Sequence, residues 1–407
     1  MRDASGEAAP ITIGIVAGEA SGDALAATLI RAVRKRRGDI RFAGIAGPRM
    51  EAEGCEVWAP MERLAVRGFV EVLAHLPSLI ALRRRIARRF LDAGIPLFVG
   101  VDAPDFNLGL ERRLKRRGIR TIHFVSPSVW AWRQERLRTI GSAVDRMLAL
   151  FPFEPPLYEA AGIPVTYVGH PMAADVAGPE TRRAARELLK QKPATPLFAL
   201  LPGSRLSEIE MHAGLVLDAA ARILEGRPDA QFIVPLVSRT TRDAFMEAQH
   251  RGGHDALPIT LLYGHADDAL RAADVALVAS GTATLEAALA RCPHVIFYRV
   301  SSLTAWIVRR KLLLPYVGLP NVLAGRFVVP EFLQEDATAG NLAQAALNLF
   351  DDTVTRRRLE ALFGAFGRKL AADTGALAAD AVISELDGTV AGRTPTGRLQ
   401  VASQARP

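Results

Sequence analysis

The chain has 407 residues, which is enough for two or three domains with substantial cores. Its composition, 49% hydrophobic and 23% charged, excludes a disordered protein, and its net charge of +8 favours an anionic partner such as a nucleotide, a phosphorylated substrate, a membrane surface or nucleic acid. Two cysteines are too few for a disulfide framework or a zinc cluster, and no apolar stretch approaches the roughly 20 residues of a membrane-spanning helix.

Strand-like and helix-like segments alternate along the chain. Buried strands are predicted first at 11–17, 40–45, 97–101, 121–125 and 147–150, with helices such as 24–37 and 106–117 between them. A polar stretch at about 169–180 is expected to be a linker. After it, strands are predicted at 197–201, 231–237, 259–263, 275–278 and 295–298, and helices from about 341.

This alternation predicts an α/β fold in which two Rossmann-like domains with parallel sheets face a central cleft. The expected boundaries are 1–172 for the first domain, 173–386 for the second domain with the terminal helices, and 387–407 for a disordered tail. Ligands are expected at the carboxyl ends of the strands, inside the cleft.

The first predicted strand ends in an open turn with two glycines and three polar side chains. Glu19, Ser21 and Asp23 are placed to hydrogen-bond a sugar, and Gly22 permits close approach to the backbone. The turn lacks the Gly-x-Gly-x-x-Gly spacing of a dinucleotide fold. The alternative is a turn that only caps the next helix.

Two basic clusters follow. The first comprises Arg83, Arg84, Arg85, Arg88 and Arg89 and comes after an apolar stretch at 73–82, so this helix is expected to lie on an anionic bilayer. The second lies at 112–117. Solvated helix faces are the alternative for both clusters. Nucleic acid is not the expected partner, because aromatic residues do not interleave with the clusters.

Asp102 follows the strand predicted at 97–101 and is expected to face the cleft as a general base. The alternative is a structural role in the turn. Asp105 is expected to cap the next helix. Further on, the run 126–133 places two tryptophans, Trp130 and Trp132, beside Arg133, where they would form a wall for an apolar or anionic ligand. Ordinary packing of the aromatic residues is the alternative there.

The strand predicted at 197–201 breaks at Pro202 and Gly203 and continues as a helix with a period of three and four residues. Ser207 and Glu210 have the spacing of a capping box, which predicts the start of that helix. Such a junction aims free backbone N–H groups and a helix N-terminus at one point, and Arg205 adds a positive charge. We therefore expect an anion site, with a loop and a solvated arginine as the alternative.

A second junction of this kind lies at Ser280, Gly281 and Thr282, whose hydroxyl and N–H groups suit a diphosphate. Glu286 follows one helical turn later and would bind two vicinal ribose hydroxyls; a solvated glutamate is the alternative.

Several common chemistries are not indicated. The sequence contains no Gly-Lys dipeptide of a Walker A loop, no His-Glu-x-x-His and no Asp-x-Asp pair for a divalent metal.

Together these motifs resemble the lipid-A-disaccharide synthase family. The resemblance runs from about residue 11 to about residue 386 and is most specific at 126–133. The segments that carry it are 17–23, 47–50, 101–107, 126–133, 201–205, 280–282 and 319–321. The first ten residues and the tail lie outside it.

The resemblance implies a GT-B glycosyltransferase that uses no metal or other cofactor. It implies transfer of 2,3-diacylglucosamine from UDP to the 6-hydroxyl of 2,3-diacylglucosamine 1-phosphate, which gives the β-1,6-linked precursor of lipid A and UDP. By position, Asp102 would be the general base. The UDP side would comprise Arg205, Ser280, Gly281, Thr282, Glu286 and Asn321, to which the first junction itself adds Gly203 and Ser204. From the motifs themselves, we expect the acceptor side to comprise Glu19, Ser21, Gly22, Asp23, Trp130 and Arg133.

The expected partners are therefore UDP-diacylglucosamine, diacylglucosamine 1-phosphate and the inner face of the cytoplasmic membrane. We expect a cytoplasmic protein that lies peripherally on this membrane, and the resemblance also suggests a homodimer. Two alternatives stay open. One is a UDP-sugar 2-epimerase of the same architecture, and the other is a non-catalytic peripheral membrane protein that only binds a nucleotide.

Overall fold

Two parallel β-sheets form the framework of the computed structural model, which describes residues 10–64, 69–130, 135–173, 179–300 and 314–393. The first sheet has seven strands in the order β3-β2-β1-β4-β5-β6-β7. Its strands are β1 (Ile11–Ala17), β2 (Ile40–Ala46), β3 (Glu56–Pro60), β4 (Leu97–Val101), β5 (Arg120–Phe124), β6 (Arg146–Ala149) and β7 (Val165–Tyr167).

The second sheet has six strands in the order β10-β9-β8-β11-β12-β13. These are β8 (Leu197–Leu201), β9 (Gln231–Leu236), β10 (Ile259–Tyr263), β11 (Val275–Ala279), β12 (His294–Tyr298) and β13 (Glu331–Leu333). All residues of β4, β8 and β11 are buried, as expected for central parallel strands that helices cover on both faces. The predicted α/β class is confirmed, and each predicted strand is present with its ends shifted by at most one residue.

Helices connect the strands. Those of the first half are α1 (Ala20–Arg36), α2 (Pro48–Ala52), α3 (Phe69–Asp92), α4 (Pro104–Lys115), α5 (Arg136–Ala143) and α6 (Pro155–Ala160). Those that follow are α7 (Pro179–Leu188), α8 (Leu206–Gly226), α9 (Arg239–Arg251), α10 (Ala266–Ala272), α11 (Thr282–Leu289), α12 (Leu319–Ala324), α13 (Ala339–Asp351), α14 (Thr353–Leu370) and α15 (Thr374–Arg393). Among the described helices, none has the length and apolar character needed to cross a bilayer.

The strand order places one topological switch point in each sheet. In the first sheet the strand order reverses between the parallel neighbours β1 and β4, where Ala17 pairs with Val101. In the second sheet the strand order reverses between β8 and β11, where Leu201 pairs with Val278. Loops that leave such neighbouring strands toward opposite faces open a crevice, which is where α/β proteins bind ligands. The loops at these two points carry most of the predicted site residues.

The last helix returns to the first sheet. Residues Ala378, Ala379, Val382 and Leu386 of α15 belong to the hydrophobic core that contains β1 and α1. Ion pairs reinforce this packing, with Arg36 3.0 Å from Asp380 and Arg146 2.9 Å from Glu385. The expected assignment of all terminal helices to the second domain is therefore wrong for α15, because its apolar face completes the core of the first sheet.

The chain crosses between the two sheets twice, once after β7 and once after α14. The two crossing segments are in contact. The backbone N–H of His170 donates to the carbonyl oxygen of Leu370 at 3.0 Å. Within the segment predicted as a linker, 171–173 forms a short 3-10 turn and α7 begins at Pro179; residues 174–178 lie outside the described residues. Residues 387–393, which were expected to belong to the tail, form the end of α15; residues 394–407 lie outside the described range.

Candidate functional site

The polar turn after β1 packs directly against the turn after β4. A Cβ atom on Gly22 would lie 3.7 Å from the Cβ of Asp102, and one on Gly18 would lie only 2.6 Å from the Cβ of Ala103. Gly18 is therefore required for the two turns to approach. Glu19 and Ser21 are exposed and belong to this first turn, which packs against the turn that carries Asp102.

Asp23 has a structural role. It is 1% exposed, and its carboxylate accepts hydrogen bonds from the backbone N–H groups of Gly47 (3.1 Å), Arg49 (3.0 Å) and Met50 (3.1 Å). It thus caps the N-terminus of α2 from another helix, which satisfies a buried charge and three free N–H groups at once. This corrects the expectation that Asp23 contacts a sugar, because its oxygens face the backbone of α2.

Asp102 is half-buried and is held in an uncommon backbone conformation. Asp102 and Ala103 both have positive φ angles, +53° and +44°, which cost energy for residues other than glycine. The backbone N–H of Asp102 donates to the carbonyl oxygen of Phe124 at 2.8 Å. The turn therefore fixes the direction in which the carboxylate leaves the end of β4.

The side chain of Asn107, on the buried face of α4, hydrogen-bonds to the backbone of this turn. Its side-chain Nδ2 donates to the carbonyl oxygen of Asp102 at 2.8 Å and also approaches the carbonyl oxygens of Val101 and Val16 at 3.4 Å. Sequence reasoning assigned Asn107 no role, although it belongs to the segment 101–107 that carries the family resemblance. The side chain joins the ends of β1 and β4, which are the two sides of the switch point.

Asp105 does not cap α4. The residue before the helix is Ala103, and no side chain caps its first turn. The carboxylate of Asp105 instead pairs with the guanidinium of Arg136 on α5. This expectation was wrong because α4 begins at Pro104, so that Asp105 lies inside the first turn.

The aromatic wall is partly described. Trp130 is half-buried and meets Phe153 edge to face, with ring centroids 5.4 Å apart, and Phe153 stacks on Phe151 at 5.3 Å. Beneath them the buried Glu154 accepts a hydrogen bond from the backbone N–H of Phe151 at 3.0 Å, and burial raises the pKa of Glu154 to about 7. Arg133 lies outside the described residues. Contact of Trp130 with a ligand stays a prediction.

The first anion junction of the second sheet already holds a carboxylate. Glu208 Oε2 accepts hydrogen bonds from the backbone N–H groups of Ser204 (2.9 Å) and Arg205 (3.2 Å). Gly203 has a φ of +134°, and a Cβ atom there would lie 2.6 Å from the same oxygen. The turn is therefore shaped to bind an anionic oxygen, and sequence reasoning missed Glu208 as its occupant.

The side chain of Arg205 is free to meet a ligand. It is 66% exposed, and its nearest carboxylate oxygen is Glu208 Oε1 at 3.9 Å. The predicted capping box of Ser207 and Glu210 was wrong. The helix α8 begins at Leu206, so Glu208 and not Glu210 stands at the third position, where it reaches back to the N–H of Arg205.

The second junction lies beside the first, at the end of β11. Gly281 and Thr282 are exposed, Ser280 is half-buried, and α11 begins at Thr282. Glu286 is half-buried one turn further on. Burial, and to a smaller extent the charge of Asp267, raises the pKa of Glu286. The structure thus brings these four predicted residues to the switch point that also carries Arg205.

Asn321 is a structural residue of this region. It is fully buried; its Oδ1 accepts from the N–H groups of Val328 (2.6 Å) and Val329 (3.0 Å), and its Nδ2 donates to the carboxylate of Glu331 at 2.7 Å. A further hydrogen bond from Nδ2 to the carbonyl oxygen of Val329 spans 3.0 Å. This corrects the expectation that the Asn321 side chain binds UDP, because its polar atoms are engaged with the protein.

We expect Asn321→Ala to lower the free energy of unfolding by about 3 kcal/mol, since it leaves the N–H groups of Val328 and Val329 without their acceptor and removes one hydrogen bond from the Glu331 carboxylate. Denaturant unfolding followed by circular dichroism measures this change. Asn348→Ala, at an exposed position of α13, is the matched control and should stay within about 0.5 kcal/mol of wild type. Unchanged stability with a large loss of UDP binding would restore the original assignment of Asn321.

The predicted membrane arginines differ in exposure. Arg84, Arg85 and Arg88 of α3 are exposed, whereas Arg83 is half-buried against α4. The guanidinium of Arg89 lies 4.2 Å above the ring of Trp58 and 3.5 Å from Glu56. Four of the five arginines are thus exposed, and of these Arg84, Arg85 and Arg88 make no ion pair with a described carboxylate, whereas Arg89 pairs with Glu56.

No group of three histidine, cysteine, aspartate or glutamate side chains in the described ranges is arranged to hold a metal ion. Metal independence nevertheless stays a prediction, which an activity measurement with a chelator must decide.

Comparison with known proteins assigns the chain to a family. A family model described as Lipid-A-disaccharide synthetase matches residues 13–381. The lipid-A-disaccharide synthase of Chromobacterium violaceum is 52% identical over 373 residues, which make up 92% of this chain and 97% of that protein. The corresponding enzyme of Methylobacillus flagellatus is 51% identical and covers 92% of this chain and 99% of its own length.

Solved structures share the fold at low sequence identity. MurG from Acinetobacter baumannii superposes with a TM-score of 0.56 at 14% identity, covering 92% of this chain and 100% of the MurG chain. The UDP-GlcNAc 2-epimerase from Neisseria meningitidis, solved with UDP-GlcNAc bound, gives a TM-score of 0.58 at 9% identity and covers 93% and 99%. These likenesses confirm the predicted GT-B fold. They do not by themselves distinguish a transferase from an epimerase.

Proposed function

Because this chain belongs to the lipid-A-disaccharide synthase family and is therefore a glycosyltransferase of lipid A biosynthesis, we propose that its two switch points hold the two sugars of that reaction. The donor is UDP-2,3-diacylglucosamine and the acceptor is 2,3-diacylglucosamine 1-phosphate. The products are the β-1,6-linked disaccharide 1-phosphate and UDP. The observation that carries the proposal is the pair of adjacent strand-to-helix junctions at the ends of β8 and β11.

The donor diphosphate is proposed to bind at these junctions. The N–H groups of Ser204 and Arg205 already bind the carboxylate of Glu208, which supports their use as ligands for a phosphate oxygen. A phosphate at this position must displace Glu208 from them. The exposed guanidinium of Arg205 and the N-terminus of α11 then stabilise the negative charge that grows on UDP as it leaves. Glu286 is proposed to accept hydrogen bonds from the ribose hydroxyls.

The acceptor is proposed to bind at the switch point of the first sheet. Its 6-hydroxyl oxygen attacks the anomeric carbon of the donor sugar on the face opposite UDP, and its proton passes to the carboxylate of Asp102. One bond forms between this oxygen and the anomeric carbon while the bond from that carbon to the diphosphate breaks, so the configuration inverts. Glu19, Ser21, Trp130 and Arg133 are proposed to contact the acceptor sugar.

Both substrates carry acyl chains and are therefore drawn from a bilayer. We propose that the protein lies on the inner face of the cytoplasmic membrane through α3, with Arg84, Arg85 and Arg88 at the lipid headgroups. The exposure of these three side chains supports this orientation. A homodimer is suggested by the family alone, and the mechanism does not depend on it.

Incubation of the purified protein with UDP-diacylglucosamine tests the reaction. We expect UDP release only when diacylglucosamine 1-phosphate is also present, at a rate that is the same in EDTA and in magnesium. Formation of a 2-epimer without acceptor would instead identify a UDP-sugar 2-epimerase. Binding of UDP without turnover of either substrate would identify a non-catalytic nucleotide-binding protein. A strict requirement for magnesium would contradict charge stabilisation by Arg205 and the helix N-termini alone.

A further inference from the structure

The second basic cluster of the sequence lies at the C-terminal end of α4 and in the turn that follows it, beside the first cluster on α3. Arg112, Arg113, Arg116 and Arg117 are exposed and, with Gly109, line a shallow cavity of about 320 Å³. Arg83 reaches across from α3, where its Nη1 lies 3.5 Å from the carbonyl oxygen of Asp105. The arginines of the two helices therefore form one continuous surface, which we name the α3–α4 basic face. Its members are Arg83, Arg84, Arg85, Arg88, Arg112, Arg113, Arg116 and Arg117.

Within the described residues, no carboxylate neutralises the positive charge of this face. None of its eight arginines makes an ion pair with a described carboxylate, whereas arginines elsewhere commonly do. Examples are Arg31 with Glu53 at 2.6 Å and Arg37 with Asp39 at 2.8 Å. Burial, followed by the charges of Arg112, Arg113 and Arg84, lowers the pKa of Arg83. Repulsion of this kind is relieved when an anionic partner covers the face.

The positions of the arginines at this end of α4 fit a flat partner. Arg112 and Arg113 lie on the solvent side of the last turn of α4, and Arg116 and Arg117 lie in the turn that follows the helix; all four are exposed, whereas Leu110, Glu111 and Leu114 are buried on the other side of α4. Neighbouring helices pack about 8–10 Å apart, so the exposed side chains of α3 and α4 spread over two dimensions. A bilayer surface with many phosphates in one plane matches such a spread of charges better than a single bound phosphate does.

We propose that α4 shares the membrane contact of α3, with Arg112, Arg113, Arg116 and Arg117 bound to the phosphates of anionic lipid headgroups. The inference rests on the proposed membrane function and enlarges the surface that performs it. An arginine near an anionic bilayer strengthens binding by about 1 kcal/mol, or roughly fivefold. Removal of three such residues is therefore expected to weaken binding about 100-fold at low salt, and added salt is expected to reduce the difference.

Co-sedimentation of the full chain with phosphatidylcholine vesicles, with and without phosphatidylglycerol, tests the proposal. The test variant changes Arg112, Arg113 and Arg116 to Ser, and the reference variant changes Arg84, Arg85 and Arg88 to Ser. The matched control changes Arg239, Arg242 and Arg251 to Ser on α9, which removes the same charge from exposed positions of the second sheet's helices. We expect the test and reference variants to lose binding to the anionic vesicles about 100-fold and the control to lose less than about threefold.

A fourth variant replaces Arg112, Arg113 and Arg116 by Lys and is expected to keep most of the binding. It separates the loss of charge from a loss of folding. The proposal is overturned if the test variant sediments like wild type while the reference variant does not, in which case α3 alone contacts the membrane. The proposal is also overturned if the α9 control loses vesicle binding to the same extent as the test variant. Tighter binding of the wild-type protein to an oligonucleotide than to the anionic vesicles would overturn it as well. The transferase function is judged separately, by the release of UDP from the unmodified protein.

Discussion

Asp102→Asn is expected to lower kcat by about two orders of magnitude or more, in a protein that folds normally and binds the UDP-sugar with nearly unchanged affinity. The acceptor 6-hydroxyl is a poor nucleophile until its proton is removed, and a general base contributes about 10²- to 10⁴-fold to such a step. Asparagine keeps the shape of the side chain but does not accept the proton. Steady-state kinetics with both substrates, together with a direct measurement of UDP binding, separates the loss of rate from a loss of affinity.

Asp105→Asn is the matched control for this variant. It lies three residues further along, is 87% exposed and pairs with Arg136 at the surface, so kcat is expected to change less than about twofold. If Asp102→Asn turns over within a few-fold of wild type, Asp102 is a structural residue of the turn. Glu19 is then the next candidate for the base, because the carboxylate of Asp23 is engaged with the backbone of α2.

Arg205→Ala is expected to lower kcat/KM by about 30- to 1,000-fold, which corresponds to about 2–4 kcal/mol of lost transition-state stabilisation. The side chain is exposed and pairs with Glu208 only at 3.9 Å, so its removal should leave the stability of the fold nearly unchanged. The charge that it contributes matters most as the bond to UDP breaks. The loss is therefore expected mainly in kcat rather than in the affinity for the donor.

Arg239→Ala provides the control, because it removes another exposed arginine, from the start of α9. It is expected to leave kcat/KM within about twofold of wild type. A loss confined to KM in Arg205→Ala would indicate that the arginine binds the donor equally in the ground state and the transition state. No loss at all would remove Arg205 from the site.

The central strands could be predicted from the sequence because both faces of each strand are buried. Strands such as β8 and β11 are then continuous apolar runs, which a sequence displays directly. The strands β3, β7 and β13 were not predicted. Each is short, lies at an edge of its sheet and mixes exposed or half-buried residues, so no apolar run marks it.

The positions of the candidate site were largely predictable, and the roles of individual side chains were less so. A polar residue beside a glycine turn indicates the end of a strand, but not the direction of its side chain. Asp23 binds N–H groups 24 to 27 residues away, and Asn321 binds a segment up to 10 residues away. These partners depend on tertiary packing. Glu208 was missed because the backbone enters α8 earlier than the Ser207–Glu210 spacing suggests.

The return of α15 to the first sheet determines when that part of the protein is complete during synthesis. Roughly 225 residues separate the end of β7 from the end of α15. At about 5–20 residues per second, a ribosome needs on the order of 10–45 s to make them. Until then, the side of α1 near Thr28 and Ala32, against which Gly375 of α15 packs, stays uncovered. The nascent chain thus carries an unfinished apolar surface that chaperones would recognise until translation ends.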